Sequence, residues 1–313
     1  MRVSGRRIQK GGHSVKNRPT TALAIAAFLL PAVAVYAVFL ISPIAQTVYQ
    51  SFFKWNGIAG SPMVFNGLSN YGAMLRSKDF WNALKNSGIF MLVGFGIQMP
   101  IAFLLALFIT SKLKGVRFFK TAFFIPVVLP MTAIGIMWNF ILWPMGGLLN
   151  NILQVFGMSA DAMPNWLGIH LAPITIPLVS AWAFVGYNML IFAAGIVSIP
   201  TDIYEAAMID GATGLKQVLY ITIPLLRDSF KIYAVLCVTG CLKVFEIVFV
   251  MTGGGPNGAS DVPATLLYYA AFRHQKPSLA MAISVAVLIL ALVSSLLLNK
   301  LLQTGKRSKG VRA

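Results

Sequence analysis

Six stretches of about 20 mostly apolar residues constrain this chain more than any other feature, because a hydrocarbon layer about 30 Å thick is crossed by a helix of that length. They run near residues 22–41, 87–109, 118–142, 172–197, 230–251 and 279–298. Each predicts one membrane-spanning helix. Charged residues make up only 11% of the 313 positions and mean hydropathy is +0.78. A soluble domain carries roughly 25% charge, so a cytoplasmic globular enzyme, a disordered chain and a fibrous protein are all poor readings. The segments between the runs are too short and too rich in Gly and Pro for a separate folded domain. The chain therefore reads as a basic tail over 1–21, one membrane domain over 22–299 and a second basic tail over 300–313.

The basic residues then set the orientation. With the N-terminus inside, the inner segments and the inner ends of the runs that border them (Lys120 and Lys231) hold 18 of the 25 Lys and Arg, the outer segments hold 6, and Lys243 falls within the fifth run. Both termini are predicted on the cytoplasmic side. The net charge of +17 is accounted for by anchoring against anionic lipid and calls for no nucleic-acid partner. A basic stretch precedes the first run, as in a signal peptide, but that run exceeds the 7–15 residues of a cleaved apolar segment and reads as a retained first helix. Cys237 and Cys241 lie four apart within one apolar run and are expected to share a helix face. His13, His170 and His274 are far from them, so no metal site is expected. The outer segments, rich in aromatic residues, look ordered. Thr265 to His274 reads as a short interfacial helix, with Tyr268, Tyr269 and Phe272 at headgroup depth.

Half of the chain's eight acids fall between the fourth and fifth runs, within residues 198–229: Asp202, Glu205, Asp210 and Asp228. Pro200 followed by Thr201 and Asp202 predicts a helix start with Thr201 or Asp202 as N-cap. Gly211 interrupts the helix. Leu215, Val218, Leu219 and Ile223 recur at helical spacing until Pro224. The expectation is a helix–turn–helix on the cytoplasmic face, with small residues where another surface approaches.

The spacing Glu-Ala-Ala, three residues, Gly, nine residues, Ile, one residue, apolar, Pro is met by Glu205, Ala206, Ala207, Gly211, Ile221, Ile223 and Pro224. It resembles the EAA loop of the membrane subunits of ABC importers. Ile223 stands where Leu is common and Val218 where an aromatic residue is frequent. The runs "VFEIVFVMTGGGPNGAS", "FFIPVVLPMTAIGIMWNFIL" and "FNGLSNY" are similar to segments of the maltose-type carbohydrate permeases. The resemblance spans nearly the whole chain. It implies an all-α integral membrane protein with six transmembrane helices, the type I ABC importer permease fold, with a core over about 85–299. It further implies a multi-pass protein of a prokaryotic cell membrane, paired with a second, homologous permease subunit. Two copies of a cytoplasmic ATPase subunit would carry the ATP and magnesium, and an extracytoplasmic solute-binding protein would deliver the ligand. No cofactor is expected on this chain, which has no phosphate-binding GxxxxGK[ST] run. On this resemblance Glu205, Ala206, Ala207, Asp210 and Gly211 couple to the ATPase: Glu205 pairs with polar or basic groups, the alanines permit close approach and Gly211 allows the turn.

Polar groups inside the runs suggest a translocation path. Ser180, Trp182, Tyr187 and Asn188 in the fourth run suit a saccharide, since aromatic rings stack on sugar faces and amides bind hydroxyls. The resemblance carries ligand-contacting positions onto Ser180, Ala183, Phe184, Tyr187, Cys237 and Cys241. Lys243 and Glu246 lie three apart and are expected to meet on one helix face, as an intrahelical ion pair at the subunit interface or as path lining. The family often carries basic-x-Phe-acidic here, so Lys243 does not by itself indicate an anionic substrate. The competing readings are an importer of another solute, such as glycerol phosphate, and a secondary transporter. The latter would usually show inverted repeats or helices broken in matched positions.

Overall fold

The computed structural model describes residues 19–303 except 59 and 112. Most of the two basic tails expected over 1–21 and 300–313 lies outside the described residues. By contact density the chain divides after Tyr49. The N-terminal unit carries one long apolar helix, which ends at Gln50 (Ala27–Gln50).

In the larger unit, three further helices are long and apolar enough to cross a bilayer: Lys78–Ile109, Ala172–Val197 and Pro277–Leu302. The third predicted span is broken. Val116–Val128 and Met131–Ile141 meet at 98°, since Pro130 forces Leu129 into an extended conformation (ψ 141°). The fifth is broken as well. Arg227–Lys243 ends at Val244, which is extended (ψ 131°), and a second helix begins at Glu246 and runs to Met251. Four spans, or five if the bent pair is one, thus satisfy length and composition among the described residues, against six expected. The shortfall comes from the fifth run, whose helix of 17 residues includes Arg227, Asp228, Lys231 and Lys243.

The core wraps the central helix Ala172–Val197. Its first half packs with Ile134, Ile247 and Val248, and its second half with Phe103, Leu226 and Tyr233. Gly186 lets this helix touch the backbone of the bent pair, because a Cβ there would collide with the Phe123 carbonyl. A small antiparallel pairing of Phe53–Lys54 with Val64–Phe65 and the helix Ser69–Arg76 precede the second span. A helix is present where one was expected over Thr265 to His274, as Pro263–Tyr268 continued by a π-helical turn over Tyr269–Arg273.

Between Met251 and Pro263 the chain makes a tight glycine loop with positive φ at Gly253, Gly254, Asn257 and Gly258. Side chains of the second span hold it: Asn82 donates to the Gly258 carbonyl (2.7 Å), and buried Asn86 donates to the carbonyls of Ala259 (2.8 Å) and Asp261 (2.7 Å). Asp261 accepts from the Thr265 hydroxyl (2.8 Å). Burial pushes its carboxyl above the usual carboxylate range; the Thr265 bond opposes this and the charge of Asp79 adds to it.

Candidate functional site

Three helix stripes face one cavity of about 640 Å³. Phe90, Gly94 and Gln98 come from the second span at intervals of four residues. Ser180, Phe184, Tyr187 and Asn188 come from the central helix, and Tyr233, Cys237, Gly240 and Cys241 from Arg227–Lys243. Each set repeats at three, four, seven or eight residues and so lies on one helical face. The broken segment from Lys243 to Ile247, together with Met131, lines the rest. The volume falls in the range of small-molecule sites, and the lining is largely apolar with a few convergent polar groups.

Of the path residues predicted from sequence, Ser180, Tyr187, Asn188, Cys241, Lys243 and Glu246 line this cavity. Trp182 does not. Two positions from Ser180 is about 200° around a helix, and its ring instead packs edge-on to Trp138 at 5.5 Å. Ala183, carried over by resemblance, is buried in the core. Asn188 is 7% exposed, and its amide has no hydrogen-bond partner among the described residues. A buried amide left open toward a cavity is costly unless a ligand or water meets it.

The expected ion pair is not formed. The helix breaks between Lys243 and Glu246, and Glu246 instead accepts from the Thr132 backbone N–H (3.1 Å) and the Thr132 hydroxyl. Glu246 thereby caps Met131–Ile141, placing a carboxylate at the positive end of that helix.

Two lining groups were missed in the sequence. Tyr233 donates to the carbonyl of Gly94 (2.6 Å) and to Gln98 Oε1 (3.1 Å), while Gln98 donates to the carbonyl of Ala181 (3.1 Å). This buried network ties three helices at a π-helical turn over Gly94–Gln98. The available signal was a lone Gln close to two glycines in an otherwise apolar run.

At the other end of Arg227–Lys243 stands the polar hairpin. The helix Thr201–Ile209 is preceded by Pro200 at the N-cap, so Thr201 and Asp202 fall inside its first turn and neither side chain caps it. Gly211 (φ +76°) closes it: the Gly211 N–H donates to the Met208 carbonyl (3.1 Å) and the Ala212 N–H to the Ala207 carbonyl (2.8 Å). That paired arrangement needs a left-handed residue, which Gly supplies at no steric cost. The returning arm is held by Tyr204 to Thr222 (3.1 Å between hydroxyls) and by Gln217 to the Tyr204 carbonyl (3.3 Å). Tyr204, Val218 and Ile223 pack on the core cluster that contains Leu226 and Tyr233. Glu205, Ala206, Asp210 and Gly211 are exposed, whereas Ala207 is 7% exposed and faces inward. Only Ala206 of the two alanines is open to a partner. Beside it the hairpin exposes Met208, Ile209 (87%), Leu215 and Tyr220 (77%), an apolar surface of the kind that marks a protein contact. Among the described residues no three His, Cys, Asp or Glu side chains gather to hold a metal.

A helical membrane domain with a central cavity, broken helices beside it and a docked polar hairpin defines a transport permease. Residues 98–307 match the family described as the binding-protein-dependent transport system inner membrane component, and the chain belongs to it. It is 36% identical over 282 residues to the probable ABC transporter permease protein YurN of Bacillus subtilis, covering 89% of this chain and 96% of that one. The arabinooligosaccharides transport system permease protein AraP of the same organism is 33% identical, with 88% and 87% covered. Among solved structures, a chain of a bacterial ABC transporter involved in the import of the acidic polysaccharide alginate superposes with a TM-score of 0.79 at 23% identity, covering 93% of this chain and 98% of that one. The fold is that of a type I ABC importer permease.

Proposed function

We propose that this chain forms half of the translocation path of a carbohydrate importer, paired with a second permease and driven through the 201–226 hairpin. The observation that carries the substrate class is the cavity: an Asn188 amide with no hydrogen-bond partner among the described residues, with Ser180, Tyr187 and the rings of Phe184 and Phe245 in the same lining. Sugars present both hydroxyls and apolar C–H faces, and this lining answers both. The name of the arabinooligosaccharide relative agrees with that class.

ATP and magnesium bind on two copies of the partner ATPase, and an extracytoplasmic binding protein supplies the ligand. The exposed Glu205, Ala206, Asp210 and Gly211, with the apolar residues around them, dock on the ATPase. Movement of the hairpin reaches the cavity through Tyr204, Leu226 and Tyr233, which share one packed cluster.

The test uses the complete complex in liposomes, with hydrolysis measured against a panel of mono- and oligosaccharides presented by the binding protein. Wild type responds to at least one carbohydrate. Glu205→Lys and Gly211→Asp still insert and assemble, but lose ligand-stimulated hydrolysis by about tenfold or more, the scale of a coupling free energy. Wild-type stimulation in either variant overturns the coupling role, and silence of wild type across the panel overturns the carbohydrate reading.

A further inference from the structure

Helix Arg227–Lys243 carries the chain about 25 Å from the hairpin, and Phe245, just beyond it, lines the cavity. From Phe245 a line of rings leads away. Its ring lies 5.0 Å from that of Phe249, stacked at 21°, and 5.7 Å from that of Tyr268. Phe249 meets Tyr268 at 5.0 Å, and Tyr268 meets Phe272 at 5.2 Å. Phe245, Phe249 and Tyr268 are half-buried and keep part of their ring surface open, while Phe272 is 72% exposed. Tyr269 flanks the line, 5.6 Å from Tyr268, and neither phenol has a hydrogen-bond partner among the described residues.

We infer that Phe272, Tyr268, Phe249 and Phe245 form an aromatic entry subsite that passes a carbohydrate from the far rim into the cavity, one ring at a time. This rests on the carbohydrate reading of the cavity. The electron-rich ring face attracts the weakly positive C–H groups of a pyranose, and such contacts bind without fixing the hydroxyl pattern. The free phenols supply hydroxyl contacts along the same line. An apolar residue of equal size would serve a lipid contact equally well but would not stack.

Phe272 is exposed, so its replacement leaves the fold intact. The experiment measures uptake by the complete transporter in liposomes, for chains of increasing length, in Phe272→Leu, Phe272→Trp and the double variant Tyr268→Leu/Phe272→Leu. Phe272→Leu is expected to raise KM for oligosaccharides about fivefold, Phe272→Trp to stay near wild type, and the double variant to lose more. The increase is expected to grow with chain length. If Phe272→Leu matches wild type, the residue anchors lipid or packs against a partner subunit and the subsite is overturned alone. If wild type carries no carbohydrate, the subsite falls together with the reading beneath it.

Discussion

Two glycine turns join helices at opposite ends of the fifth predicted span, and they are built on opposite plans. The loop 252–262 is fastened from outside by Asn82 and Asn86, whose amides reach across from the second span, and it closes on itself through Thr252 to Ser260 (2.7 Å between hydroxyls). The hairpin 201–226 closes mainly through its own backbone and two longer side-chain contacts, and turns apolar side chains outward. A turn whose carbonyls are taken up by a neighbouring helix is fixed to that helix. A turn that satisfies itself is free to be gripped by another protein. On the proposed coupling role, the chain separates an anchored end from a handle.

Removing the anchor gives the largest expected effect. Asn86→Ala removes the donor to the part-buried carbonyls of Ala259 and Asp261, at up to about 1–3 kcal/mol for each group left unmet. The thermal midpoint of the purified complex should fall clearly, and an unchanged midpoint would mean that the loop is not held from outside. The corresponding change in the handle is smaller. Tyr204→Phe removes the Thr222 contact at about 1 kcal/mol, with little change in thermal midpoint but reduced ligand-stimulated hydrolysis. Equal losses of stability in the two variants would erase the contrast.

The smallest effect concerns Asp261. Its carboxyl is held above the ordinary range, chiefly by burial, so the fold favours the protonated form. That contribution is fully present below the ordinary carboxylate pKa and is lost as pH rises through the raised one. Asp261→Asn keeps an acceptor for Thr265 and removes the titration. A flatter profile of thermal midpoint against pH than in wild type is expected, and parallel profiles would show that Asp261 does not sense this pH range.

The hairpin was legible because its turn rests on local chemistry. Gly211 interrupts the helix in the sequence reading, and in the structure it closes that helix with φ +76°. The capping expectation failed because Pro200, with no N–H to bury, occupies the N-cap itself. The inward turn of Ala207 follows from sharing a face with half-buried Tyr204, three positions earlier. Of the two broken spans, the first reads in sequence as one helix over 118–142; it breaks at Pro130, while Pro126 in the same run stays inside a helix. The second breaks at Val244 and Phe245, which carry no intrinsic signal, so tertiary packing must decide it. That break explains why Lys243 and Glu246 parted company. The network of Gln98 and Tyr233 joins residues 135 apart, and a single apolar run does not reveal such a partner.

One carboxylate bridges the two interruptions. Glu246 begins the helix that follows the second break and holds the start of the helix that follows the first, through Thr132. Asn139 reinforces the arrangement by donating to the Val250 carbonyl (3.2 Å). The two fractures are thus tied into a single knuckle, so a shift of Met131–Ile141 is resisted by Glu246–Met251 through the bonds from Thr132 and Asn139.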